Sequence, residues 1–267
     1  MNNQTVITNN RVNPRYVHAA KAAAIHLMLS IVVALGVAVF VFGIWYPFPY
    51  REMSGGRELF LLVIAVDIVC GPILTLVLFD KSKQSVELWR DLCLVALMQL
   101  AALGYGLWSV YEARPLYFVL EIDRFKVIAA PDLRPAALKE LALLPPSLKP
   151  TFFSGPLIVA LRESANEFER QEVLLESVAG GRDYAERPAF YTPYASAPAS
   201  KLLARAKPLH MFVQKYPAKR VAVLQLLDKD SLDVNLLLYL PVVARQDWIA
   251  ILDKEARIKG FIKGDGF

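Results

Sequence analysis

Few side chains in this sequence are of a kind and spacing that carry chemistry. The histidines are His18, His26 and His210. His18 and His26 fall in the N-terminal tail and at the start of an apolar run, where an interfacial role is expected. His210 stands alone on a predicted short helix, with no Cys and no compact Asp/His grouping near it. There is no HExxH, no Cys pair and no EF-hand loop, so no metal site is expected. Neither a GxSxG elbow, a P-loop nor a GxGxxG is present, and the Gly-Gly pairs at 55–56 and 180–181 suit turns. Glu121 and Asp123 lie two apart on a predicted strand and share a face. Arg124 follows them, so a solvated or salt-bridged strand face is the expected role. No nucleophile, base and orienting group come together. The residues therefore predict no catalytic group, no cofactor and no enzymatic activity. The alternative is a membrane-anchored enzyme modifying an envelope or secreted substrate, which would need a clustered polar site to form on folding.

One carboxylate stands apart. Asp67 sits near the middle of an apolar run and is followed by Cys70-Gly71-Pro72. An ionisable group at membrane depth costs at least ~2.5 kcal/mol on insertion scales and as a rule faces a protein interior. Packing or hydrogen bonding within its own helices is the plain expectation, and docking of another transmembrane segment the sharper one. A proton relay is not expected, because no second membrane carboxylate or His is at hand to take the proton on. Pro72 removes a backbone donor and is expected to kink its helix, while Gly71 allows a neighbouring helix to approach. Gly104 and Gly106, with Ala101 and Ala102, offer a small-residue face, and Gln99 supplies an amide that can bond across helices. Asp67, Gly71, Pro72, Gln99 and Gly104 are the candidate partner-binding residues.

The elements that must position them are three apolar runs, roughly Ala23–Tyr46, Leu59–Phe79 and Leu92–Tyr111. Each is close to the ~20 residues that a helix needs to cross ~30 Å of hydrocarbon. The first does not read as a cleaved signal peptide: it begins late, runs long, and ends in bulky Trp45-Tyr46-Pro47-Phe48-Pro49. Trp45, Tyr46, Tyr50, Trp108 and Tyr111 fall at run ends, where amphipathic rings are expected at the headgroup level. The tail carries Arg11, Arg15 and Lys21, and the loop between the second and third runs carries Lys81, Lys83 and Arg90. The loop between the first two has only Arg51 and Arg57. Counting Lys and Arg predicts a cytoplasmic N-terminus and an external C-terminal portion. The expected organisation is a cytoplasmic tail over 1–22, a three-helix anchor over 23–111, and a periplasmic domain over 112–267.

The bulk numbers agree. Of 267 residues 55% are hydrophobic, and the excess is concentrated in the first part of the chain. From Glu112 to Phe267 there are 22 Lys and Arg against 19 Asp and Glu. A net +3 mixed over that length is a solvated surface, and no nucleic-acid partner is expected. The two cysteines, Cys70 and Cys93, lie in or beside apolar runs. No disulfide is therefore expected in the C-terminal part, and each Cys is read as a small buried hydrophobe.

Beyond the third run, Leu116–Ile128 alternates with period two and reads as one strand. Asp132–Leu144 reads as a helix capped by Asp132 and stopped by Pro145-Pro146. Gly155–Leu161 reads as a second strand. Ser164-Ala165-Asn166-Glu167 reads as a capping box for a helix whose Phe168, Leu175 and Val178 share one face and which ends at Gly180-Gly181. Arg182–Ala199 is expected to be an ordered loop with aromatic contacts. Helical pieces follow near 201–205, 209–216 and 218–228, then strands over 236–244, 248–253 and 257–262, with Pro241 marking an edge or a bulge. The predicted fold is three transmembrane α-helices followed by an α+β domain with a mainly antiparallel sheet.

Taken in order, several of these stretches resemble one family. They are Trp45-Tyr46-Pro47, Ser54-Gly55-Gly56, Asp67 with Gly71-Pro72, Ala113-Arg114-Pro115, Glu121-Ile122-Asp123-Arg124-Phe125, Tyr239-Leu240-Pro241 and Asp247-Trp248. The chain is similar to the type IV pilin accessory proteins of the TfpX/TfpZ type over nearly its whole length. The tail up to about Tyr16 lies outside the likeness. The resemblance implies a chaperone-like protein of the bacterial inner membrane that assists a cognate type IV pilin, with the lipid bilayer as its second partner. A pilin waiting in the membrane has a long apolar helix and an external head. The helices around Asp67, Gly71 and Pro72 are expected to contact the former and the outer domain the latter. Two tethered contacts raise each other's effective concentration.

Overall fold

The computed structural model describes residues 14–228 and 233–267. The first part of the predicted 1–22 tail, including Arg11, lies outside the described residues. Two compact units form. One runs up to Val39 and resumes over Glu58–Ser109; the other joins Phe40–Arg57 to Val110–Phe267.

The helical unit is built from α1 (Pro14–Phe40), which is followed by a π turn over Val41–Trp45 and the short α2 (Tyr50–Met53), then from α3 (Gly56–Leu78) and α4 (Ser85–Glu112). Among the described residues three helical stretches are long and apolar enough to cross a membrane: Arg15–Trp45, Gly56–Leu78 and Ser85–Glu112, with mean hydropathy 2.8, 2.6 and 1.7. α1 and α4 start well before their apolar runs. Pro14 is pre-set for a first helical position, and Glu87 complements the positive end of α4. α3 runs on through Pro72, which has no amide to donate to the Ile68 carbonyl. Within each apolar window only 11%, 17% and 17% of residues are buried inside the chain, so most of this surface awaits an apolar surrounding. Cys70 and Cys93 are both exposed, which corrects the expectation of buried thiols: each lies on an outward helix face.

The second unit is an α+β domain around a sheet. β1 (Pro115–Leu120) and β2 (Phe125–Ala129) are followed by α5 (Pro135–Leu143), β3 (Leu157–Leu161), α6 (Glu167–Val178), β4 (Tyr191–Pro193) and α7 (Ala199–Leu203). Then come β5 (Lys207–Pro208), α8 (Leu209–Lys215), α9 (Arg220–Asp228), β6 (Leu238–Val243), β7 (Trp248–Leu252) and β8 (Ile258–Lys263). The strand order is β4-β3-β1-β2-β6-β7-β8, with β5 also on β6. The sheet is mixed, not mainly antiparallel: β1 with β3 and β2 with β6 run parallel. The pattern of single strands could not show this. β3 returns beside β1 only after a hairpin and α5, the long crossover that a parallel pair needs.

Other local readings shift for physical reasons. The predicted strand Leu116–Ile128 is a hairpin, because Glu121-Ile122-Asp123-Arg124 turns and the Glu121 amide donates to the Arg124 carbonyl at 2.9 Å. Asp132 accepts from the Ala129 amide at 2.8 Å and so holds the turn before α5, not the helix itself. α6 is capped by Asn166, whose side chain accepts from the Glu169 amide at 2.8 Å. Pro241 is neither at a sheet edge nor in a bulge. On one flank β6 pairs with β5 up to Tyr239 and with β2 from Val242, so Pro241 falls in the gap between the two ladders. The predicted apolar face of α6 points outward, with Phe168 76%, Leu175 71% and Val178 87% exposed. The charged side of α6 is held instead: Glu169 takes a bidentate pair from Arg162, and Glu176 binds Arg182 and Arg187.

Both sheet faces are buried. Tyr117, Val119 and Ile128 pack under α5, and Tyr239, Ile249 and Ile251 under α8 and α9. On the opposite face Phe118, Leu120, Leu240, Val242 and Trp248 pack with Leu202 of α7 and with Tyr50 and Met53 of α2. The connection between the first two long helices is thus part of this domain's core.

Candidate functional site

The five sequence-predicted residues divide in the structure. Gln99 on α4 donates its side-chain amide to the backbone carbonyl of Asp67 on α3 at 3.0 Å. Gly71 makes that approach possible, since a Cβ there would lie 1.9 Å from the Gln99 amide nitrogen. Asp67, Gly71 and Gln99 therefore form one cluster, with Pro72 next to it along α3. Gly104 does not join them: it is exposed, and a Cβ there would meet nothing within 4 Å. Its predicted partner in the small-residue face, Gly106, is buried against Val63.

A cavity of about 220 Å³ opens among α1, α3 and α4, lined by His26, Ser30, Ile64, Asp67, Gln99 and Leu103 among others. Its walls are apolar apart from these polar side chains. His26 is the member that sequence reasoning placed elsewhere. Its Nδ1 lies 2.6 Å from the hydroxyl of Thr75, itself 2% exposed. The available signal was that position 26 already lies inside the first apolar run, so its ring had to face protein. His26 and Gln99 thus have partners within the chain, while Asp67 bonds only through its backbone; no hydrogen bond or ion pair to its carboxyl occurs among the described residues.

At one end of this unit, Arg15 Nε lies 3.2 Å from Asp80, and Lys83 lies 2.7 Å from Asp91. Asp80 also accepts from the Ser82 amide and hydroxyl, which hold its carboxyl below the usual range.

Trp45, Tyr46 and Tyr50 are buried among the domain's own residues. Trp45 Nε1 donates to the Phe152 carbonyl at 2.8 Å, and the Tyr46 hydroxyl to the Val110 carbonyl at 2.9 Å. Burial pushes the Tyr46 hydroxyl well above its ordinary value, with Arg114 pulling the other way. Gly55 ends α2 at φ +71°, a conformation that Gly adopts freely, and the Arg245 amide donates to Met53 beside it at 3.0 Å.

The sequence-predicted acids Glu121 and Asp123 lie in the β1–β2 turn. Arg124 binds Asp123 at 2.7 Å and holds it below the carboxylate range; burial raises Glu121, opposed by Lys126. Lys126 itself reaches Asp183 and Glu186. The Lys126 pairs fasten β2 to the 183–186 segment, and the Arg124–Asp123 pair lies within the turn. Among the described residues no group of three or more His, Cys, Asp or Glu converges as a metal centre requires.

With this geometry in hand, comparison with known proteins is informative. The family model described as "Fimbrial assembly protein FimB" matches residues 14–55. The "Fimbrial assembly protein, serogroup E1" of Dichelobacter nodosus is 35% identical over 256 residues, 95% of this chain and 98% of that relative. The chain belongs to the fimbrial assembly protein family. The serogroup I protein of the same organism matches to the same extent, at 35% identity over 95% of this chain and 98% of its own length. The protein of serogroups C1 and C2 is 39% identical over 45% of this chain and 91% of its own. No solved structure matches the chain. The stretch that the fimbrial assembly family model covers runs through α1, the π turn and α2 to Gly55, so it ends inside the segment that the domain buries.

Proposed function

We propose that this fimbrial assembly protein is a non-enzymatic accessory protein of the bacterial inner membrane, of the TfpX/TfpZ type, which binds and stabilises a cognate type IV pilin. The observation that carries the reading is 35% identity over nearly the full length to proteins named for fimbrial assembly, in a chain with three membrane-length apolar helices among its described residues. α1, α3 and α4 span the bilayer, the N-terminus is cytoplasmic and the mixed-sheet domain is periplasmic. The Lys and Arg bias supports that orientation. The helices hold the pilin's membrane helix, and the outward apolar stripe of α6, Phe168 with Leu175 and Val178, is the surface offered to its head. Tethering the two contacts makes a complex tighter than either alone. The pilin is thereby shielded from unproductive association until it enters the pilus.

Three measurements test this. In spheroplasts, protease added outside should cleave within 112–267; full protection of that portion removes the orientation. Affinity purification in mild detergent should bring the pilin along, and deletion of the protein should lower the pilin level. A pilin at normal level and absent from the purified material defeats the accessory role.

A further inference from the structure

We propose that the cavity among α1, α3 and α4 receives a side chain bearing a hydrogen-bond donor from the pilus subunit's membrane helix, with the Asp67 carboxyl as acceptor. The inference rests on the pilin-binding reading above and adds the chemistry of recognition. Its first support is the carboxyl itself. In hydrocarbon a polar group without a partner is costly, and water is not there to supply one. Within the chain, His26 engages Thr75 and the Gln99 amide engages the Asp67 backbone. Among the described residues neither makes a hydrogen bond or ion pair to the Asp67 carboxyl, on which His26 acts only through space, so a hydrogen-bonding partner is left for another chain to supply. The second support is volume. About 220 Å³ exceeds the ~30 Å³ share of one water several-fold, which suits an inserted side chain. The third is lining. Apolar walls from Leu29, Val33, Ile64 and Leu103 suit the stem of such a side chain, while Asp67 and Ser30 meet its polar tip. A lipid tail would fill the walls but bring no donor, so complementarity to an acceptor favours a protein helix carrying an amide, hydroxyl or ammonium at this depth.

The test uses the full-length protein in its own membrane with the pilin present. A photo-crosslinking residue is placed at Leu100, on the cavity and 67% exposed, and in a parallel strain at Val77, away from it on α3 and 64% exposed. Leu100 should capture the pilin and Val77 should not. Asp67→Leu should cut capture from Leu100 by about fivefold or more, the worth of one hydrogen bond, and leave the protein's own level unchanged. Asp67→Asn, which keeps an acceptor oxygen, should cut it less. Ala96→Phe, which fills the cavity without altering the carboxyl, should reduce capture as Asp67→Leu does. Undiminished capture in Asp67→Leu, lipid adducts alone at Leu100 while pilin still co-purifies, or loss of the Asp67→Leu protein itself each overturns the assignment and leaves pilin binding standing. Failure of the wild-type protein both to crosslink and to co-purify with pilin defeats the reading beneath it.

Discussion

On α3, Leu61, Leu62, Val66 and Val69 are each more than half exposed, whereas on β1 every residue from Pro115 to Leu120 is buried. The side chains are of the same kind. The difference is where their apolar surroundings come from: the sheet builds them from both of its covered faces, and the long helices leave most of theirs to another phase. Polar groups follow suit. In the domain, charges such as Arg182 sit in paired networks, with Glu140 at 2.7 Å and Glu176 at 3.1 Å. Among the long helices, polar contacts include ones made across helices, as between Gln99 and Asp67 or His26 and Thr75. The segment 40–57 lies between two of those helices in sequence, yet follows the domain's rule.

The sharpest way to break this contrast is at that segment. Tyr50 is 7% exposed and stands edge-on to Phe118 at 5.7 Å. Tyr50→Ala should destabilise the domain by about 3–5 kcal/mol, read as a lowered thermal midpoint of the full chain in detergent. Leu97→Ala, on an outward α4 face and 65% exposed, should destabilise by less than about 0.5 kcal/mol and leave the same midpoint nearly unchanged. Similar effects from the two would show that the loop is not core.

Next comes the close contact in the helical unit. Gly71→Ala places a Cβ into the Gln99 amide and should cost about 1–3 kcal/mol. Adding Gln99→Ala should restore part of the loss by making room. Gly104→Ala, with open space around it, should stay within about 0.5 kcal/mol. Unfolding of the helices by denaturing detergent measures all three, and equal costs at 71 and 104 would contradict the packing.

The smallest effect is in acid. Arg187 holds the Glu176 carboxyl down to about 2, and Arg162 does the same for Glu169. Both are depressed below the ordinary 4.5, so their stabilisation is present above that value and is lost as pH falls toward about 2. The Glu176 side chain is 37% exposed, which keeps its share under about 1 kcal/mol. Denaturant midpoints between those pH values should fall less steeply in Glu176→Gln; an unchanged slope would remove the pair as a contributor.

Much of this was legible beforehand. The three long helices, the presence of α6 and its end at Gly180 all rest on interactions between residues a few positions apart, although the cap of α6 is Asn166 and not the expected box from Ser164 to Glu167. The strands at 248–253 and 257–262, which become β7 and β8, were also visible. Legibility failed where a local pattern had two outcomes. Alternation in 116–128 is kept by a hairpin as well as by one strand. The apolar stripe of α6 looked like a core face, but the arginines at 162, 182 and 187 claimed the opposite side of the helix. Pro241 looked like an edge residue because no local signal tells where β5 stops and β2 begins.

For the candidate site, Asp67, Gly71 and Gln99 were found from composition alone, because a polar or very small residue in an apolar run has few explanations. That Gly104 faces away, and that His26 joins the same cavity, depended on helix rotation, which packing sets. Chain composition by itself determined three membrane-length helices and a mixed-charge domain after them, since transfer to hydrocarbon and helix punctuation add up residue by residue. Tertiary structure alone decided that Tyr50 and Met53 belong to the domain core, that two strand pairs run parallel, and that the Asp67 carboxyl has no hydrogen bond or ion pair among the described residues. Each of those depends on which distant residues meet, and meeting is settled by closure of the whole fold and not by any neighbour in sequence.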